Sequence, residues 1–293
     1  MRILGTEKRI AIRNILFATD FSPCSNAALP YALAIAHQYG ACLFGAHVIS
    51  SDDYLFVAPE VWPAHLQQED ELQEEAVARL EEQLRGVPHQ ALSGIGNVWD
   101  VLRRLVADHE IDLIVLGSHG RTGTRKLFLG SVAEKIFRQA SCPVLTVGPN
   151  VVDEKKSVAE FNQILLATDF GEESSAAAAY AVSIAHEHQA RLSLLHVLQR
   201  PTPGAASPDS DSLFQQLQEL VPRETELWCH PEYFVQFGIP AERILQFSTA
   251  SGVDLIVMGL HPHGAVSAVT HLAHTTAQHI VAHATCPVLT VRG

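Results

Sequence analysis

The chain repeats itself. Ile15-Leu-Phe-Ala-Thr-Asp-Phe21 returns as Ile164-Leu-Leu-Ala-Thr-Asp-Phe170, 149 positions further on. Tyr31, Ala36-His37 and His47-Val48 return at the same spacing as Tyr180, Ala185-His186 and His196-Val197. Asp112-Leu-Ile-Val-Leu-Gly117 returns as Asp254-Leu-Ile-Val-Met-Gly259 at 142 positions, and Cys142-Pro-Val-Leu-Thr-Val147 as Cys286-Pro-Val-Leu-Thr-Val291 at 144. Ordered matches whose spacing drifts by a few residues indicate a duplicated domain with changes of loop length. At 293 residues each copy has the size of an ordinary domain. The boundaries that follow are 1–148 for the first domain, 149–162 for a polar connection expected to be exposed, and 163–293 for the second.

Within the first copy, residues 15–19 form a short apolar run, as expected of a strand buried on both faces of a parallel sheet. Residues 22–39 place Ala28, Tyr31, Ala32, Ile35 and Ala36 at helical spacing, with Gly40 as C-cap and Pro30 as a point of bending. Strands are expected at 41–49, 89–93, 113–116 and 144–147, and helices at 66–84, 98–109 and 132–138. The acidic run Glu69, Asp70, Glu71, Glu74 and Glu75 reads as the solvated face of the 66–84 helix. Strand and helix in alternation imply a parallel sheet with right-handed crossovers, so each copy is a five-stranded α/β sandwich of Rossmann-like type. Ligands of such sheets sit outside the carboxyl ends of the strands, where strand order reverses.

The residues after the fourth strand of the first copy suit an anion. Leu116-Gly117-Ser118-His119-Gly120 is followed by nine residues and then by Gly130-Ser131, which opens the next helix. Glycines let backbone N–H groups approach an anion, and a helix N-terminus adds unpaired donors and a positive dipole end. Arg121, Arg125 and Lys126 lie between the two glycine pairs and could screen negative charge. Tight strand-to-helix turns alone would also account for the glycines, and no Walker G-K-S/T is present.

Taken with the duplication, these residues resemble a tandem universal stress protein over nearly all of both copies. Nucleotide-binding members of that family carry G-x-x-G, nine residues, then G-S/T, matched here by Gly117, Gly120, Gly130 and Ser131. The resemblance implies an adenine-nucleotide-hydrolase-like fold, with the two copies arranged as a pseudo-twofold dimer through their last strands. It implies ATP, with AMP or ADP as alternatives and Mg as a companion ion, held in the first domain. Ala18, Thr19 and Asp20 after the first strand, Val48 of the second, and Leu116, Gly117, Gly120, Arg121, Gly130, Ser131 and Val132 would form the site. Asp20 would face the nucleotide or its metal, and Val48 would give backbone contacts to adenine.

The second copy departs from the pattern. Pro262 stands at the second glycine position, His274 at the third and Thr275 at the serine. Proline removes a donor and a histidine Cβ obstructs backbone approach, so this cradle is expected to be broken. The histidines His261, His263, His271, His274, His279 and His283 cluster there, but no carboxylate or cysteine is interleaved at ligand spacing between His271 and His283, and they read as surface and interface residues. His47 and His196 are expected to satisfy backbone groups, and Cys142 and Cys286 to be small buried residues. Cys24 lies near a helix start that would favour a thiolate, yet its counterpart is Glu173, so no duplicated redox role is indicated. No Ser-His-Asp or Cys-His arrangement assembles from matched strand ends.

A net charge of −12 argues against a nucleic-acid partner. No apolar run reaches the roughly 18 residues of a membrane span, and no secretory leader is evident. Five cysteines, odd in number and without a C-x-x-C pair, suit reduced thiols in a cytoplasm. The function expected is an ATP-binding stress-response regulator acting through an unknown protein partner, with a homodimer open to it. Any turnover would be slow, since no general base stands out in the motif. The rival functions are a nucleotide hydrolase or transferase and a nucleotide-free interaction protein.

Overall fold

A computed structural model describes residues 10–50, 62–119, 129–151, 159–199, 210–261 and 276–292, with the side chains of 62–68 left out. The chain divides into two compact units, one containing Ile12–Pro149 and the other Ala159–Gly293.

In the first unit the elements run β1 (Asn14–Ala18), α1 (Pro23–Asn26), α2 (Leu29–Tyr39), β2 (Cys42–Ser50), α3 (Trp62–Gln83), β3 (His89–Gly96), α4 (Val98–Asp108), β4 (Leu113–Gly117), α5 (Ser131–Gln139) and β5 (Val144–Val147). The strands pair in the order β3-β2-β1-β4-β5, every pair parallel. Strand order therefore reverses between β1 and β4, where Ala18 lies opposite Leu116. Side chains alternate across the sheet. Leu16, Phe44, Ala46, Ile114 and Leu116 pack with Trp99, Leu102 and Val106 of α4 and with Ala133 and Ile136 of α5. On the opposite face Gly45 leaves room for Leu80 of α3 and for Leu84, the residue that follows that helix. The acidic run on α3 faces outward: Asp70, Glu71, Glu74 and Glu75 are exposed and Glu69 is half-buried, while Ala76 and Leu80 are buried.

The second unit repeats this plan with β6 (Gln163–Thr168), α6 (Glu172–His188), β7 (Arg191–Leu198), α7 (Ser210–Glu219), β8 (Glu232–Phe237), α8 (Pro240–Ala250), β9 (Leu255–Gly259), α9 (Thr276–His283) and β10 (Val288–Val291). Its strands pair as β8-β7-β6-β9-β10, again all parallel. Each domain is thus a five-stranded parallel sheet flanked by helices. Among the described residues no helix is long and apolar enough to cross a membrane.

Two expectations are revised. The single helix expected over 22–39 is two, because Pro30 occupies the first turn of α2, where its missing N–H is harmless, and the chain breaks after Asn26. Its counterpart α6 has alanine at position 179 and runs unbroken for 17 residues. The connection over 149–162 is not exposed to its end: Ala159 and Phe161 are 4% and 1% accessible, whereas Glu160 and Asn162 face solvent. Both C-caps adopt the left-handed conformation, Gly40 at φ 61° and Gln189 at φ 52°.

The repeated Asp-Leu-Ile-Val segment has a structural cause. Asp112 Oδ2 accepts the N–H groups of Arg13 (2.7 Å) and Asn14 (3.0 Å), and Asp254 Oδ2 those of Asn162 and Gln163 (both 3.0 Å). Each carboxylate thereby pins the start of its domain's central strand. All five cysteines are free thiols. Burial, reinforced by Asp112 and Asp254 respectively, pushes the Cys142 and Cys286 thiols up to about 12. Native protein treated with iodoacetamide at neutral pH should therefore leave both unalkylated, as read by peptide mass spectrometry, and should label them after unfolding.

Candidate functional site

The carboxyl ends of β1, β2 and β4 meet where strand order reverses. Ala18 pairs with Ala46 on one side and Leu116 on the other, so the turn after β1 opens directly onto the end of β4. That turn is held by its own side chains. Thr19 Oγ1 accepts the Phe21 N–H at 2.9 Å, and Asp20 Oδ1 accepts the Ser22 N–H at 3.0 Å. Together they hold Phe21 in the left-handed region at φ 61°, a conformation that non-glycine residues seldom adopt. The Phe21 ring lies 4.6 Å from that of His47, and the Arg79 guanidinium sits 4.0 Å above its face. His47 Nδ1 lies 2.8 Å from the Thr19 carbonyl, the backbone role expected of it.

The second domain builds the same turn. Thr168 Oγ1 accepts the Phe170 N–H at 3.0 Å, Asp169 Oδ1 accepts the Gly171 N–H at 3.1 Å, and Phe170 has φ 65°. His196 Nδ1 lies 2.8 Å from the Thr168 carbonyl. The Thr-Asp-Phe repeat is therefore accounted for by turn geometry in both halves, and the strained phenylalanine is a feature the sequence reading did not single out.

Gly117 closes β4. A Cβ there would lie 2.6 Å from the carbonyl oxygen of Cys24 and 2.8 Å from the Ser25 nitrogen, so glycine lets α1 rest backbone to backbone on the strand end. Gly259 meets Glu173 and Ser174 of α6 in the same way, at 2.5 and 2.6 Å. Close packing thus requires both glycines whatever the ligand.

Beyond β4, Ser118 N–H donates to the Val147 carbonyl at 2.9 Å and its own carbonyl accepts Gly130 N–H at 2.8 Å, tying the start of α5 to the strand end. His119 Nδ1 contacts Ser118 Oγ at 2.8 Å. Gly130 is the N-cap of α5 and has no side chain with which to cap it, while the Gly130 carbonyl accepts Glu134 N–H at 2.8 Å. The N–H groups of Ser131, Val132 and Ala133 precede the first intrahelical donor and emerge at this end. With φ −62°, Gly130 needs no glycine for its torsion. Ala18, Val48, Leu129 and Val132 are partly buried and pack on one apolar cluster beneath the crevice. Ala18, Thr19, Asp20, Leu116, Gly117, Gly130, Ser131 and Val132 are thus brought to one edge of the sheet, with Val48 near the end of β2. Gly120, Arg121, Arg125 and Lys126 lie outside the described residues. Among the described residues no side chain caps the α5 amides, and a helix N-terminus of that kind beside an apolar floor would suit a phosphate with a base attached. Among the described residues no three or more His, Cys, Asp or Glu side chains are arranged so that they could hold a metal ion.

In the second domain Pro262, His263, His271, His274 and Thr275 lie outside the described residues. His261, at the end of β9, does not stand alone on the surface. Its Nε2 lies 2.6 Å from Asp169 Oδ2 and its Nδ1 2.9 Å from Glu173 Oε2. Sequence reading missed this because 92 residues separate His261 from Asp169. His279 and His283 stack at 4.2 Å, and His283 Nδ1 lies 2.8 Å from the His279 carbonyl.

Known proteins match this plan. The model of the universal stress protein family matches twice, over residues 11–148 and 160–292. A universal stress protein of Thermus aquaticus is 35% identical over 139 residues, which are 46% of this chain and 98% of its own length. Universal stress protein A homolog 1 of Coxiella burnetii is 34% identical over 140 residues, 46% of this chain and 95% of its own. Each such relative has about the length of one domain here. The crystal structure of a universal stress protein from Archaeoglobus fulgidus shares the fold, with a TM-score of 0.72 at 20% identity, covering 97% of this chain and 99% of that one. Duplicated parallel sheets, repeated Thr-Asp-Phe turns and two family matches in succession lead to one conclusion: the chain belongs to the universal stress protein family and carries two of its domains in tandem.

Proposed function

We propose that the first domain binds an adenine nucleotide, ATP in the first instance, and that the chain acts as a nucleotide-dependent regulator. The observation that carries the reading is the N-terminus of α5, whose N-cap Gly130 brings no side chain to its amides and which is tied to the end of β4 where strand order reverses. The amides of Ser131, Val132 and Ala133 would take phosphate oxygens. Val48 and Ala18 would lie under the adenine and ribose, and Gly120 and Arg121 would complete the phosphate loop. Mg2+ accompanying the triphosphate would offset its charge. ATP would change the order of the loop over 118–129 and so alter contact with a protein partner.

Isothermal titration calorimetry of the full chain with MgATP tests this. Binding is expected, and Arg121→Ala combined with Gly130→Val should weaken it at least tenfold, since a valine side chain obstructs approach to the helix amides and a charge-assisted contact is lost. Unchanged affinity would reject the site. Asp20→Asn is the better probe of that carboxylate than Asp20→Ala, because the amide oxygen keeps the acceptor that holds the turn.

A further inference from the structure

The two crevices differ by a coordinated exchange of residues. In the first domain Cys24 Sγ lies 4.0 Å from Ser118 Oγ, which in turn contacts His119. In the second, Glu173 stands for Cys24, Leu260 for Ser118 and His261 for His119. Leucine offers the ring no partner, and the ring turns instead to the carboxylates at the end of β6 and the start of α6.

We propose that the strand end of the second domain carries a proton-operated latch, in which the His261 imidazolium cross-links Asp169 to Glu173 and holds the end of β9 against the β6–α6 turn. A neutral imidazole has one N–H and one lone pair, and an ionised carboxylate only accepts. A ring with a carboxylate at each nitrogen, at 2.6 and 2.9 Å, is satisfied on both sides only when it carries two protons. Asp169 is itself fixed from behind, since its Oδ1 accepts Ser174 Oγ–H at 2.8 Å and Gly171 N–H at 3.1 Å.

Gly171 supplies the independent observation. A Cβ there would lie 2.7 Å from His261 Cε1, yet the residue has φ −67°, which any amino acid adopts. Its counterpart in the first domain is Ser22, whose hydroxyl caps α1. The second domain has given up that cap at a position where the ring needs the space. Among the described residues the charged groups that meet the ring are Asp169 from the turn and Glu173 from α6, while β9 itself is apolar.

The pH window follows from the groups themselves. The hydrogen bond to Asp169 raises the His261 ring above its ordinary value of 6.5, outweighing desolvation, and the charges of Asp169 and Glu173 add to the rise. Burial alone would raise Asp169, but the hydrogen bonds from His261, Ser174 and Gly171 outweigh it and hold the carboxyl below its ordinary value. The latch is therefore lost as pH falls through the lowered carboxyl value. It is also lost as pH rises through the raised imidazole value, and it is closed between them. With His261 and Asp169 about half exposed, added salt should weaken it. Above the imidazole transition the ring releases the two carboxylates, which puts the junction of β9 with the β6–α6 turn under proton control. The latch does not depend on nucleotide binding in the first domain.

The test is NMR titration of the full chain, with the His261 ring resonances identified by their absence in His261→Asn. Both ring nitrogens should be protonated at pH 6, the midpoint should lie above that of a free imidazole, and Asp169→Asn and Glu173→Gln should each lower it. Gly171→Ala keeps every charge but displaces the ring, and it too should lower the midpoint. Amide exchange at Gly171 and His261, corrected for its intrinsic pH dependence, should accelerate above the midpoint. The limit for one linked proton is about tenfold per pH unit. In Gly171→Ala it should be fast throughout. An ordinary midpoint, or one unmoved by Asp169→Asn, overturns the latch. So does exchange that stays constant through the titration, which would leave only a surface ion pair.

Discussion

Phe161→Ala is expected to lower the stability of the second domain by about 3–5 kcal/mol, the loss typical of a buried phenylalanine that leaves a cavity. The side chain is 1% accessible and meets the His188 ring edge to face at 5.0 Å. It lies two residues before β6, within the stretch whose composition reads as a polar connection. Its counterpart at position 12 of the first domain is Ile12, itself 3% accessible. Denaturant unfolding followed by circular dichroism should show the loss, with a fall in Tm on the order of 10 °C. Amide exchange would place the loss in β6 and α6. A loss below about 0.5 kcal/mol, the range of surface substitutions, would return residue 161 to the connection.

Gly117→Ala and Gly259→Ala should each cost about 2–3 kcal/mol, at the upper end for overpacking. The added methyl meets backbone in both domains, Cys24 and Ser25 in one and Glu173 and Ser174 in the other, and neither side can rotate away. Reduced freedom of the unfolded chain would give back only about 0.4–1 kcal/mol, so the clash decides the sign. Gly45→Ala is the control. Its Cβ would meet Leu84 Cδ1 at 2.5 Å, a side-chain end that can shift, and the loss should be smaller. Equal losses at 117 and 259 would assign these glycines to packing, since only the first domain is proposed to bind nucleotide. A neutral Gly117→Ala would instead free position 117 for a purely ligand-facing role.

These positions show where sequence reasoning reaches. Gly117 is legible as a close-approach position and Gly259 as its repeat, but a glycine pattern does not say what approaches. At both it is a helix of the same domain. Asp20 and Asp169 were legible as strand-end carboxylates, and their hydrogen bonds to the backbone of the turn emerge only in three dimensions. Along the sequence, histidines of the second domain recur at helical spacing, His271 with His274 and His279 with His283. The partners of His261 lie instead on another strand's turn, where no local period leads.

Two sheets of parallel strands, their order of elements and the strand ends that carry the candidate site follow from the sequence alone. Repetition, alternation of short apolar runs with amphipathic stretches, and turn residues are local properties that any fold of this chain must respect. The tertiary structure decided which strand-end groups touch. It set Gly117 and Gly259 against helices, buried Phe161, and joined His261 to carboxylates 92 and 88 positions away. Such contacts turn on differences of a few tenths of an ångström in the spacing of segments remote in the chain, and the pattern of side chains along one segment carries no record of them.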